Sequence, residues 1–324
     1  MDRKAISLGP KSDLCYGRTG ATKTSQVGRM AEYARDKYGL KTRLVSADPN
    51  GWSTIDVLVE EGIVEPFLLT NTRKFPLETI TRLTQGWWPA DPKDEHSKLL
   101  PPTDSANKHA EVAAYGFEGL STLSTLIMSD LLQRQDIHIP ETPKESFVKD
   151  DAMRWGFSGR AHYGFIQQRI YETVSTANHL PVAKVLWTAH ETDAQDNSNR
   201  KIYGPAVIGQ ALTGQCGAWF GAMLHLFLTP REVEVDDPVN KGKKIKVVRR
   251  VPMMYLREHV DPDDPYRTPF LAKPRGPYQL WSEWADVMEP DIYQFYTKLD
   301  DMGARAIAAI REKAARQAAT GVSK

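Results

Sequence analysis

Gly17-Arg18-Thr19-Gly20-Ala21-Thr22-Lys23-Thr24 has the form of a phosphate-binding loop set between a first strand and a first helix. The pattern is a Gly, four residues, a Gly, a Lys, then Ser or Thr. Gly17, Lys23 and Thr24 fit it, and Thr22 stands where the second Gly belongs. Successive backbone N–H groups in such a loop curl around a phosphate, and the helix start adds partial positive charge. Arg18, Thr19, Gly20 and Ala21 would supply backbone donors. Lys23 would reach the terminal phosphates and the Thr24 hydroxyl would bind magnesium. A β-branched Thr22 at this point is expected to strain the loop if the backbone needs a positive φ.

The flanks give the loop its context. Leu14-Cys15-Tyr16 runs into it as a buried strand end would, with a further apolar run at Ala5–Leu8. Downstream, Val27, Met30, Ala31, Ala34 and Tyr38 recur at helical spacing. Thr42–Ala47 reads as the next strand. Strand, loop, helix and strand in that order predict an α/β nucleotide-binding unit.

The chain has 324 residues, enough for one large core, and a net charge of +1. So balanced a charge offers no global field for nucleic acid, and any such contact must come from a local patch. No apolar run is long enough to span a membrane. Met1-Asp2-Arg3-Lys4 leads into no signal-peptide apolar region. Cys15 and Cys216 make neither a disulfide framework nor a metal set, and are expected to be buried thiols in a cytosolic protein.

Further along, Val64–Leu69 reads as a strand and Pro76–Gln85 as a helix. Residues 86–108, rich in Pro, Asp and Lys, are expected to form a surface loop with Trp87 and Trp88 exposed. Ala110–Phe117 is the next strand, Thr122–Leu132 a helix, and 133–159 an irregular insertion. A helix through Tyr163, Ile166, Ile170, Val174 and Ala177 precedes a strand over Pro181–Trp187. The polar segment Thr192–Gly204 reads as a loop. Met223–Leu228, Glu232–Val235, Lys244–Val251 and Met254–Arg257 read as antiparallel strands. Lys241, Lys243, Lys244, Lys246, Arg249 and Arg250 group on and beside the turn Asn240-Lys241-Gly242. Two helices are expected at the end, one through Trp281, Trp284 and Val287, the other from about Asp291 to Ala318.

An NTPase of this architecture needs an acid on the metal side, an acid to activate water, a polar sensor of the terminal phosphate, and a cation for developing charge. Ligands in open parallel sheets bind at the carboxyl ends of strands. Glu118 ends the strand Ala110–Phe117 and is the candidate for the metal side. Asp48 follows the second strand and either orients water or forms a turn before Pro49. His190 follows Val185-Leu186-Trp187-Thr188 and either donates to the terminal phosphate or is a satisfied structural residue. Lys273 and Arg275 are candidate cations, with a solvated basic turn as the alternative. The Lys241–Arg250 group either touches a nucleic-acid backbone or guards a hairpin edge.

The order of these motifs resembles the RecA-like P-loop ATPases, and within them the phage-encoded branch that includes the single-strand annealing and recombination ATPases. Ala47-Asp48 is similar to the family's catalytic acid position, Phe117-Glu118-Gly119-Leu120-Ser121 to its magnesium-side acid, and Thr188-Ala189-His190 to its phosphate sensor. Thr192–Tyr203 resembles its DNA-binding loop, and Leu271-Ala272-Lys273-Pro274-Arg275 the cations that read the neighbouring subunit's nucleotide. The resemblance implies a mostly parallel sheet with helices on both faces, an antiparallel extension and C-terminal helices. It implies a domain over 1–280, with insertions near 86–108 and 133–159, and a helical extension over 281–324. It further implies ATP and Mg2+, slow hydrolysis, single-stranded DNA as partner, a ring or filament of identical subunits, and the cytoplasm of a bacterial host. Two other functions fit the same residues: a phage assembly or packaging accessory ATPase acting on protein partners, and a nucleotide-binding structural module that does not hydrolyse.

Overall fold

The computed structural model describes residues 12–48, 51–69, 76–94, 96–133, 160–195, 200–207, 210–236, 242–261, 266, 268–274 and 282–319. Expectations for Ala5–Leu8, for 134–159, for Asn240 and Lys241, and for Arg275 and Trp281 lie outside them.

Strand β1 (Ser12–Gly17) is buried along its whole length, as a strand with neighbours on both edges and helices on both faces must be. The loop follows, then α1 (Lys23–Tyr38), whose Val27, Met30, Ala31 and Ala34 are fully buried. Next come β2 (Lys41–Ser46), the short α2 (Asp56–Glu60), β3 (Val64–Leu68) and α3 (Pro76–Thr84). The two-residue strands β4 (Trp88–Pro89) and β5 (Leu99–Leu100) pair with each other. Then β6 (Val112–Glu118), α4 (Leu120–Gln133), α5 (Arg160–Ala177), β7 (Lys184–Gln195), β8 (Lys201–Pro205) and α6 (Gln210–Gln215) follow. The last elements are β9 (Met223–Asp236), β10 (Lys244–Tyr255), β11 (His259–Val260), β12 (Pro269–Phe270), β13 (Val287–Met288) and α7 (Ile292–Ala319).

Among the described residues one large sheet runs in the order β3-β2-β6-β7-β1-β9-β10-β13, with β8, β12 and β11 branching from β7 in that order. The pairings from β3 to β9 are parallel, and β9 with β10 and β10 with β13 are antiparallel. Helices α3, α4 and α5 cover one face through Ile80, Leu83, Leu123, Ile127, Ile166, Ile170 and Val174. Helices α1 and α7 cover the other, where Phe295, Tyr296, Leu299 and Met302 pack with Met30 and Ala34. The molecule is therefore α/β, with a mostly parallel sheet between helices. No helix of the described residues is long and apolar enough to cross a membrane. Cys15 and Cys216 are buried thiols.

Several segments differ from expectation. Strand β7 does not stop near Trp187 but runs past His190 to Gln195 and turns back as β8, so the polar segment Thr192–Gly204 is largely an antiparallel hairpin. Its alternating pattern was hidden because most of its residues are polar on both faces. Trp88 is buried against Phe67 and Tyr115, under the guanidinium of Arg43 at 4.6 Å, and Trp87 is half-buried. Residues 86–108 thus lend a core side chain rather than an exposed aromatic pair. Val287 lies in β13 against Tyr255, not in a helix. The four short runs expected between Met223 and Arg257 are two long strands.

The first part of β9 lies beside β1, with Leu226 opposite Gly17. Its remainder, Thr229–Asp236, leaves the parallel sheet with β10 as a two-stranded ribbon exposed to solvent. By register, Val233, Val235, Ile245 and Val247 share one face, and Glu232, Glu234, Asp236, Lys244 and Lys246 share the other. Lys246 Nζ lies 3.7 Å from Glu232.

Candidate functional site

The loop closes tightly. Gly17 has no room for a Cβ, which would overlap the carbonyl oxygen of Leu226. Thr22 adopts φ 64° and ψ 24°, the left-handed region. A non-Gly residue held there costs about 1–3 kcal/mol. Its hydroxyl is also buried with no hydrogen-bond partner among the described residues. The strain expected for a β-branched residue at this position is present, and α1 begins immediately after it at Lys23.

Lys23 is folded back on the loop. Its ammonium donates to the carbonyls of Gly17 at 3.0 Å and Arg18 at 2.8 Å. Burial pulls its pKa down, while the charges of Glu118, Glu191 and Asp48 hold it up. The Thr24 hydroxyl donates to Glu118 Oε1. Glu118 is the last residue of β6 and is buried. Its other oxygen, Oε2, lies 3.5 Å from Ser46 Oγ at the end of β2. Burial is the main reason the Glu118 carboxyl is raised to about 7, and the charge of Asp48 adds to it. Thr24, Ser46 and Lys23 act in the opposite direction.

Asp48 sits just past β2, exposed, with its N–H donating to Ser46 Oγ at 3.1 Å. Gly51 donates back to the Asp48 carbonyl at 2.9 Å. A Cβ at Gly51 would overlap Ser46 Oγ and come within 2.7 Å of Glu118 Oε2, so this turn is pressed against the acid. His190 lies directly opposite Gly17 in the β1–β7 register. It is exposed, and burial of part of the ring, with the charge of Lys23, lowers its pKa. Its N–H donates to Ser121 Oγ at 3.0 Å, and Ser121 donates to Ala206 O at 2.6 Å.

Lys23, Thr24, Asp48, Glu118 and His190 therefore converge on one rim of the sheet. Thr24 and Glu118 offer hard oxygen donors of the kind magnesium takes while keeping several waters. No group of three or more His, Cys, Asp or Glu placed to hold a metal ion occurs among the described residues, and a magnesium site shared with phosphate does not require one. Lys273 stands apart. Its backbone pairs with Met223, three register positions or about 10 Å back from Gly17. Its half-buried side chain lines a groove of about 630 Å³ with Trp219, Leu271 and Glu258.

A second constellation at the loop was not read from the sequence. Arg18 Nε donates to Glu191 Oε1 at 3.1 Å. Glu191 Oε2 lies 2.8 Å from His225 Nε2, and His225 Nδ1 lies 3.2 Å from His259 Nε2. His225 is fully buried, stacked between Tyr16 and Phe270. A histidine inside the apolar run Met223–Leu228 was the available signal, since a buried polar ring demands partners. The chain matches no protein-family model, and no curated protein matches it.

Proposed function

We propose that this chain binds ATP with Mg2+ at the Gly17–Thr24 loop and hydrolyses it slowly, as a RecA-like ATPase of the phage type acting on single-stranded DNA. One observation carries the reading: Lys23 and Thr24 sit at the loop's helix end with the Thr24 hydroxyl on the buried carboxylate of Glu118. That pairing of loop and acid, with a whole strand (β7) between theirs, is what a magnesium-nucleotide site of this class asks for. Bound magnesium would neutralise charge on the phosphate oxygens. Lys23 would exchange its carbonyl partners for phosphate. Asp48 would orient the attacking water, and His190, opposite Gly17, would donate to the terminal phosphate. The DNA part is supported by the hairpin of β7 and β8, which continues directly from His190, so a strand held there bears on the sensor. Lys273 and Arg275 as fingers in a ring or filament remain part of the proposal.

A second reading, a nucleotide-held module without turnover, is favoured by the left-handed Thr22 and by a Glu118 carboxyl raised to about 7. The test is release of phosphate from ATP with magnesium, with and without single-stranded DNA. DNA-stimulated turnover supports the recombination role. Turnover indifferent to DNA moves the target to a protein partner, as in assembly or packaging. Nucleotide binding without turnover selects the second reading, and no binding rejects both.

A further inference from the structure

Three contacts run in series from Glu191 into the fold. They are Glu191 Oε2 to His225 Nε2 at 2.8 Å, His225 Nδ1 to His259 Nε2 at 3.2 Å, and His259 Nδ1 to the Arg257 carbonyl at 3.3 Å. The two ends are acceptors, a carboxylate and a carbonyl. Filling all three contacts takes three N–H protons, and two neutral imidazoles carry only two. The series therefore has one open place for a proton. With that proton it holds one imidazolium beside one carboxylate, and each contact has its hydrogen.

Burial is the main reason the place stays open, against the pull of Glu191 on His225, and Arg18 adds to it: its guanidinium already balances Glu191, at 3.1 Å, and its charge further lowers His225. Burial and His225 lower His259 to about 4. Among the described residues Lys23 also feels the charge of Glu191, but its ammonium is held by the carbonyls of Gly17 and Arg18. Tyr16 stacks on His225 and donates its hydroxyl to Leu271 O. Tyr255 stacks on His259 at 3.6 Å, with its hydroxyl beside Thr229. Phe227 and Phe270 close the sides. Glu258 faces Arg200 at 3.8 Å, and the Arg257 side chain faces Asp286 at 3.2 Å. Arg18 itself is 58% exposed and belongs to the loop, so it is free to swing toward a phosphate.

We propose that Glu191, His225 and His259 take up one proton from solvent when a polyphosphate draws Arg18 off Glu191, so that the buried charge stays balanced. Glu191 is then a positioning residue: it stores Arg18 while the loop is empty and hands its charge to the imidazole pair when the loop fills. The inference rests on the loop reading above. Because a proton is taken up on binding, affinity tightens as pH falls, by up to about tenfold per pH unit.

The experiment is calorimetric titration of inorganic triphosphate, with chelator present to exclude metal, in buffers of different ionisation heat between about pH 5 and 8. Proton uptake is compared in the parent chain, in His259→Phe, which keeps the stacking, and in Glu191→Gln. Glu118 and His190 are common to all three and cancel in the difference. The expected result is close to one more proton taken up by the parent than by either variant, with the steeper pH dependence in the parent alone. Either variant that folds, by circular dichroism, suffices for the comparison. Binding with equal proton counts overturns the proposal and leaves the loop reading standing. No binding by the parent overturns the loop reading itself.

Discussion

The two ends of the Gly17–Thr24 loop are built differently. At the helix end, Lys23 lies on the loop's own carbonyls and Thr24 meets Glu118 from the end of β6. At the strand end, Arg18 is tied through Glu191 to two histidines drawn from distant strands. The first cluster is the one proposed to meet a metal and a phosphate. The second is a charge-balanced series that the motif does not specify. Under the proposed function, the first group acts on the ligand and the second holds the loop's second cation until a ligand arrives.

Four substitutions bear on that contrast. Lys23→Ala, at the helix end, should cost the most, with hydrolysis reduced about 100-fold or more in steady-state phosphate release. A small loss would mean Arg18 carries the phosphate instead. Glu118→Gln should weaken apparent magnesium affinity by about 10–100-fold. Because the Glu118 carboxyl is raised to about 7, protons compete with the metal below that value. Magnesium affinity in the parent should therefore rise with pH up to about 7, and the variant should lose that dependence. The same raised pKa means ionisation of Glu118 costs stability progressively as pH rises from about 4.5 to about 7. Arg18→Ala, at the strand end, should lower triphosphate affinity by about tenfold, measured calorimetrically, while thermal stability changes little, because its ion pair is half in water. The smallest effect is Thr22→Gly, which removes left-handed strain and an unpartnered hydroxyl. After the entropy a Gly adds to the unfolded chain, about 1 kcal/mol of added stability should remain in denaturant unfolding.

The helix end was legible because its chemistry is written in adjacent residues and in strands whose ends carry an acid. Gly17, Lys23 and Thr24 announce the loop, and Glu118 closes an apolar run. The strand end was not legible, because Glu191 reads as one more polar residue after His190, and its partners sit 34 residues further on and beyond. The hairpin of β7 and β8 was missed for a related reason: with polar residues on both faces it lacks the alternation that marks a half-buried strand. Trp88 was misjudged because it opens a Pro- and Asp-rich stretch, while Arg43, which lies over it, comes from β2. Within 86–108, Asn107 accepts from the Arg43 guanidinium at 2.8 Å, a contact its sequence neighbours do not announce.

Strand β9 is continuous from the parallel sheet into the ribbon. Its first residues flank β1 up to Gly17, and its outer eight, Thr229–Asp236, extend about 25 Å beyond. In mechanical terms this is a lever whose short arm lies along β1 to Gly17, where the Leu226 carbonyl stands in the place a Cβ would take. The ribbon's tip and the loop's first residue are thus joined through one unbroken strand.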